Sequence, residues 1–200
     1  MSPLPPSASS PLILASTSRY RAELLRRLGI AFEQQAPGSD ETPLAGEQPQ
    51  ALAQRLALAK AGAVAARHPR RWVLGSDQVC ACDGKLLGKP GTRPRAAAQL
   101  KLLSGSAAHF ITAVVLQQQD SGALLQALDL CTVRFRALGD AEIERYLDAE
   151  DALDCAGSFK SEGLGISLCE AIETQDPSGL VGLPLIAVRR LLAQAGLELP

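Results

Sequence analysis

A chain of 200 residues amounts to one to one and a half domains at about 150 residues each. It is long enough to bury roughly 70% of its unfolded surface without a metal or disulfide staple. Twenty Lys and Arg against twenty-one Asp and Glu leave a net charge of −1 with two His, which excludes a general polyanion binder, whose affinity needs a clustered excess of cations, but not a small anion held in one basic pocket. The composition, 46% hydrophobic and 20% charged, is that of a soluble globule, and the longest apolar stretches, Leu12–Ala15 and Ile111–Leu116, fall far short of the ~20 residues a membrane span requires.

Residues 1–10 are rich in Ser and Pro and lack the cationic and apolar regions of a signal peptide, so they read as a disordered tail ahead of one domain over residues 11–200. Leu12–Ala15 predicts a buried strand, followed by the hydroxyl cluster Ser16-Thr17-Ser18 that suits a helix cap. Leu24, Leu25 and Leu28 recur at helical spacing over Tyr20–Leu28, with Gly29 as the stop. Ile30–Ala36 suits a short strand and Pro37–Gly46 a loop. Gln48–Arg67 is an Ala-rich helix with Leu52, Leu56, Ala59 and Ala63 on one stripe. Trp72–Val79 reads as a strand with polar groups at its end, Asp83-Gly84 as a hairpin turn, and Gly88–Gly91 as a rigid loop. Arg93–Leu103 predicts a helix, Ala107–Gln119 and Leu124–Phe135 a hairpin around Asp120-Ser121-Gly122, and Asp140–Ala149 another helix. Cys155–Gly165 is punctuated by glycine, and Pro184–Ala195 closes the chain as a helix. Strands alternating with helices, plus one long hairpin, imply an α/β domain with a mixed sheet.

Several chemistries are missing. There is no GxxxxGK[ST] loop and no GxSxG elbow, and Gly163-Leu164-Gly165 continues to Leu168 where a dinucleotide fingerprint needs its last Gly. His68 precedes a proline and His109 opens an apolar strand, so both read as structural. With no HExxH and so few His, any metal would be a hard cation on oxygen ligands. The five Cys form no second pair at zinc spacing; Cys80 and Cys82 share one face of a strand, where packing is expected. An odd number of thiols in a chain that needs no staples points to a reducing, cytoplasmic setting.

Polar residues that follow apolar strands supply the candidate chemistry. Ser16, Thr17, Ser18, Arg19 and Arg21 sit at a helix N-terminus, where outward N–H groups and the helix dipole favour an anion and Arg21 adds a two-pronged donor. The same hydroxyls would serve as mere caps. Asp77, read at a strand end, could hold Mg²⁺ or orient a water, or else satisfy loop backbone. Lys89 sits on a stiff turn within reach of a phosphate. Lys60 lies at the edge of its helix's apolar stripe, about 80° from Leu52, where snorkelling to solvent is the common fate. Asp40 and Glu41 offer two further carboxylates that could equally be solvated.

Their order along the chain is more telling. Ser16-Thr17-Ser18-Arg19-Tyr20-Arg21, Asp40-Glu41-Thr42, the Lys60 helix, Gly75-Ser76-Asp77-Gln78-Val79, Gly88-Lys89-Pro90, Ala156-Gly157-Ser158-Phe159-Lys160-Ser161-Glu162-Gly163 and Val181-Gly182-Leu183-Pro184 resemble, between Leu12 and Leu192, the successive signatures of the Maf family of nucleoside triphosphate pyrophosphatases. The Phe159–Glu162 block is similar to the branch acting on 7-methyl-GTP; the branch acting on dTTP and UTP carries Gln where Glu162 stands. The resemblance implies a Maf/ITPase-like fold: a two-lobed α/β domain around a curved mixed β-sheet with a nucleotide cleft. It also implies cleavage of the α–β phosphoanhydride with a divalent cation, Mg²⁺ or Mn²⁺. Asp77 matches the family's proton acceptor, and Tyr20, Gln78 and Glu162 match positions that choose the substrate. Ser16, Arg21, Lys60 and Lys89 match the phosphate pocket, with Glu41 and Asp77 as the implied metal carboxylates. The expected partner is a small nucleotide, with neither nucleic acid nor membrane, and a homodimer is left open. Two other readings stand beside this one: a dTTP, UTP or modified-nucleotide pyrophosphatase, and a nucleotide-binding regulator of cell division with weak turnover. Arg19 departs from the family's usual Pro and would touch phosphate or point to water, and Tyr20 replaces an expected Trp while keeping an aromatic face.

Overall fold

The apolar run Leu12–Ala15 forms β1, the buried central thread of a computed structural model that describes Pro6 and residues 10–199. The tail expected over residues 1–10 lies, apart from the buried Pro6 and the bridged Ser10, outside the described residues. After β1 the Ser18 side chain accepts from the Arg21 amide and starts α1, Arg19–Arg26. A turn then ends at Gly29, whose φ of +67° favours a residue without Cβ. β2, Phe32–Gln35, returns parallel to β1. Pro49 opens the Ala-rich α2, Pro49–Ala65, its fixed φ and missing N–H being harmless in a first turn.

β3, Val73–Cys82, runs parallel to β1 over Val73–Gly75 only, then continues past it. Asp83 and Gly84 both adopt positive φ, the requirement of a tight hairpin turn into β4, Lys85–Leu87. Next come α3, Arg93–Leu103, the long hairpin of β5, Ala107–Gln118, and β6, Ala123–Phe135, and then α4, Asp140–Ala149. Two short 3₁₀ turns lead to β7, Cys169–Glu173, followed by α5, Pro177–Val181, and α6, Leu185–Gln194. The sheet order is β2-β1-β3-β5-β6-β7, with β4 on β3: a mixed, open seven-stranded sheet.

Alternation along the strands divides the core. Ile13, Ala15, Val73, Val79 and Val115 face α2, while Leu12, Leu14, Leu74, Val114 and Leu116 face α1 and α6. A third cluster, around Leu100, Phe110, Phe135, Ile143, Tyr146 and Phe159, joins α3 and α4 to the far ends of β3, β5 and β6. These long strands thus carry two lobes. Cys80 and Cys82 pack in the third cluster, and all five thiols are free.

The structure departs from the expected elements in two places. Asp77 is not at a strand end; it lies within β3, opposite Ala113 of β5. The polar triplet Ser76-Asp77-Gln78 is tolerated there because β1 has already ended, leaving that flank of β3 open to a cleft. β4, β7 and α5 were not foreseen; each is five residues or fewer, too short to show a period. Among the described residues no helix is long and apolar enough to cross a membrane.

Candidate active site

β1 stops at Ala15 opposite Gly75, and β4 does not pair with β3 until Cys80. Between them opens a cleft of about 920 Å³, within the usual range for a small-molecule site. Of the candidate residues singled out in the sequence, Ser16, Tyr20, Arg21, Glu41, Lys60, Asp77, Gln78, Lys89 and Glu162 line it, while the Asp40 carboxylate turns to Thr42 instead.

The floor is ionic. α2 lies directly on β3, because Gly75 presents no side chain: a Cβ there would come within 2.5 Å of the Ala57 carbonyl oxygen. That close approach sets Lys60 over Asp77. Lys60 Nζ donates to Asp77 Oδ1 at 2.6 Å and lies 2.9 Å from Glu41 Oε1. Lys60 therefore does not snorkel to solvent; it is 5% exposed, as is Asp77, because a buried carboxylate gives the ammonium a partner that water would otherwise supply. Burial raises the Asp77 carboxyl above its usual range, and Lys60 and Arg21 pull it back.

The wall is the start of α1. Arg21 Nε donates to the Gly182 carbonyl at 2.9 Å and Nη1 to Ser16 Oγ at 3.5 Å, so the guanidinium is aimed by the turn after α5. Burial draws Arg21 below the ordinary arginine value, against the fields of Asp77 and Glu41. Ser16 Oγ also accepts from the Ser18 amide at 3.1 Å, so capping and cleft-lining are both true of these hydroxyls. Lys89, exposed on the opposite rim in the Gly88–Gly91 loop, makes no ion pair among the described residues and keeps its donors for whatever enters.

Gln78 is adjacent to Asp77 but turns to the opposite sheet face. Its Nε2 donates to Thr112 Oγ1 and to the carbonyls of Gly179 and Leu180, at 3.0, 2.8 and 3.1 Å. Ser76 Oγ and Thr112 Oγ1 likewise hold the Gly182 and Gly179 carbonyls. Gln78 thus fastens α5, whose turn in turn aims Arg21. Glu162 is exposed at the mouth, its Oε2 accepting from Ser161 Oγ at 3.3 Å. Tyr20, half-buried, donates from Oη to Asp154 Oδ1 at 3.4 Å.

Sequence reasoning missed three supports. Glu150 receives Lys160 Nζ at 2.6 Å and the Leu164 amide at 2.9 Å, pinning the segment that carries Glu162. Asp154 holds Tyr20, the Gly182 carbonyl after α5 holds Arg21, and the carbonyls of Gly179 and Leu180 in α5 hold Gln78. A carboxylate just beyond a helix end, or a bare carbonyl, has no signature in sequence. His68 and His109 lie outside the cleft, against Gln35 and Thr132. Among the described residues no three of His, Cys, Asp and Glu gather as a metal cluster; Glu41 and Asp77 are paired through Lys60.

The sequence pattern of Maf-like proteins matches residues 11–195. A protein of Xanthomonas oryzae pv. oryzae named 7-methyl-GTP pyrophosphatase is 61% identical over 189 residues, covering 94% of this chain and 98% of its own. Proteins of the same name from Polaromonas sp. and Aromatoleum aromaticum are 54% and 50% identical, each covering 96% of this chain and 87% and 98% of their own. Among solved structures, the Staphylococcus aureus Ham1 protein superposes with a TM-score of 0.45 at 12% identity, over 62% of this chain and 71% of that one.

Proposed function

The chain belongs to the family of Maf-like proteins, and from that premise we propose that it hydrolyses the α–β phosphoanhydride of 7-methyl-GTP to 7-methyl-GMP and pyrophosphate. The observation that carries this reading is the buried Asp77 carboxylate in one cleft with Arg21, Lys60 and Lys89, and with an aromatic ring and an acid at its mouth. Relatives that span nearly the whole chain bear that name.

The reaction needs charge neutralised and a water aimed. Arg21 and Lys89 present cations to the phosphate oxygens, and Ser16 adds a hydroxyl at the α1 N-terminus, where the helix dipole favours an anion. Asp77 aligns the water and accepts its proton as the new P–O bond forms at the α-phosphorus. The bond from that phosphorus to the bridging oxygen breaks, and pyrophosphate leaves with the electron pair. Glu41 and Asp77 are the residues that would hold a divalent cation, Mg²⁺ or Mn²⁺: two carboxylates beside substrate phosphates are the oxygen set such hard ions take. When bound, the ion supplies further positive charge against the phosphates. Lys60 pairs with both carboxylates and holds them close together.

At the mouth, Tyr20 offers a π face to a base that N7-methylation has made cationic. Ionised Glu162 is acceptor-only and takes the guanine N1–H and exocyclic amine together. The five free thiols suit a cytoplasmic setting.

A panel of 7-methyl-GTP, GTP, dTTP and UTP, assayed for pyrophosphate release, tests the reading; 7-methyl-GTP is expected to give the highest kcat/KM. Tyr20→Arg combined with Glu162→Gln removes the attraction for a cation and the acceptor pair. The preference for 7-methyl-GTP over the pyrimidine triphosphates is expected to fall at least about tenfold, since hydrogen bonds to charged groups contribute ~1.5–3 kcal/mol. An unchanged preference would show that the base is read elsewhere.

A further inference from the structure

Arg19, largely exposed to solvent, leans on the neighbouring aromatic ring. Its Cζ lies 4.8 Å from the centroid of the Tyr20 ring, and Nη2 donates to Tyr20 Oη at 2.7 Å. Asp154 holds the pair: Oδ1 accepts from Tyr20 Oη at 3.4 Å, and Oδ2 is 4.0 Å from Arg19 Nη2. The Arg19 side chain is 63% exposed, yet the residue lines the cleft beside Tyr20, Asp154 and Glu162.

We propose that Arg19 is a specificity-determining residue that restrains the enzyme's preference for a cationic base. The proposal rests on the reading of Tyr20 as the base-facing ring. A guanidinium on that ring is already the cation in a cation–π pair. A second cation, the methylated purine, must displace it or stack with it in proximity, and either arrangement is repulsive. The sign of the effect is therefore independent of which ring face Arg19 takes. Asp154 gives a displaced guanidinium a carboxylate at hand, so the site admits 7-methyl-GTP while favouring it less than a bare Tyr20 would. Unmodified GTP has the same triphosphate on a neutral base. Any attraction of Arg19 for phosphate acts on both substrates and cancels in the ratio of their kcat/KM values.

The test is that ratio, 7-methyl-GTP over GTP, in the wild type, Arg19→Ala, Arg19→Gln and Tyr20→Ala. Removing the charge is expected to raise it about two- to fivefold, the value of an exposed cation–π contact. Because the Arg19 charge is exposed and screened by salt, the wild-type ratio is expected to climb toward the Arg19→Ala value as ionic strength rises. A ratio unchanged or lowered in both Arg19 variants overturns the proposal. If the wild type shows no preference for 7-methyl-GTP, or Tyr20→Ala leaves that preference intact, the base reading itself fails. A preference that depends on Tyr20 but does not rise on removal of Arg19 refutes the role of Arg19 alone.

Discussion

Asp77→Asn is expected to lower pyrophosphate release by two to four orders of magnitude, the usual contribution of a positioned general base, while nucleotide binding persists. The side chain keeps its volume and can still accept from Lys60 Nζ through its amide oxygen, so the floor of the cleft stays packed. What is lost is the group proposed to take a proton from water. Calorimetric titration with 7-methyl-GMP alongside the pyrophosphate assay separates the two effects. Turnover within tenfold of the wild type would remove Asp77 from the chemistry. The pH profile follows from the same environment. Burial places the Asp77 carboxyl above the ordinary carboxylate range, with Lys60 and Arg21 opposing the rise. The ionised form is the active one, so kcat/KM is lost as pH falls through that raised value. Lys60→Met takes away the strongest opposing charge and moves the acidic limb to higher pH for the same substrate.

Gly75→Ala is expected to be strongly damaging to both the fold and the site. A Cβ at this position would lie 2.5 Å from the Ala57 carbonyl oxygen, 2.7 Å from the Ala61 nitrogen and 2.8 Å from the Ala61 Cβ. All three belong to the α2 backbone or its first side-chain atom, so no rotamer change relieves the clash, and the helix must lift from β3. Overpacking of this kind costs about 1–3 kcal/mol or more. At about 2–4 °C per kcal/mol for a chain of this size, the melting temperature is expected to fall by several degrees. Lys60 travels with α2, so activity should fall beyond the loss of folded protein. Gly62→Ala, on the same helix, is the control: its Cβ would meet only the Gln117 Nε2, at 3.8 Å, and helix propensity favours the change. Equal melting temperatures for the two variants would mean that the close approach of α2 and β3 is not what seats Lys60.

Much of the architecture was legible because the elements that build it carry a period. The Ala-rich run marks α2, although its buried face runs through Ala53, Ala57, Lys60, Ala61 and Val64 rather than through Ala59 and Ala63, and Asp120-Ser121-Gly122 marks the turn of the long hairpin. Asp77 was placed at a strand end because Ser76-Asp77-Gln78 interrupts an apolar run. The run resumes at Val79 and continues to Cys82, since the open flank of β3 needs no apolar cover. Periodicity put Lys60 at the edge of a stripe but could not name what lay across from it. Its burial depends on Asp77 and on the missing side chain of Gly75, neither of which is on its helix. Gln78 shows the converse. Adjacent to the acid in sequence, it is turned by strand alternation to the other face, where it fastens α5. The resemblance located the charged and aromatic residues Tyr20, Arg21, Glu41, Lys60, Asp77, Lys89 and Glu162 of the cleft, whereas Glu150, Asp154 and the carbonyls of Gly179, Leu180 and Gly182 act through partners far along the chain and carry no local pattern.

If a water beside Asp77 attacks the α-phosphorus, solvent oxygen ends in the nucleoside monophosphate. Turnover of 7-methyl-GTP in ¹⁸O-enriched water, with the products separated and weighed by mass spectrometry, tests it directly. One heavy oxygen is expected in 7-methyl-GMP and none in the pyrophosphate; label in the pyrophosphate, or release of 7-methyl-GDP with inorganic phosphate, would put the attack at another phosphorus.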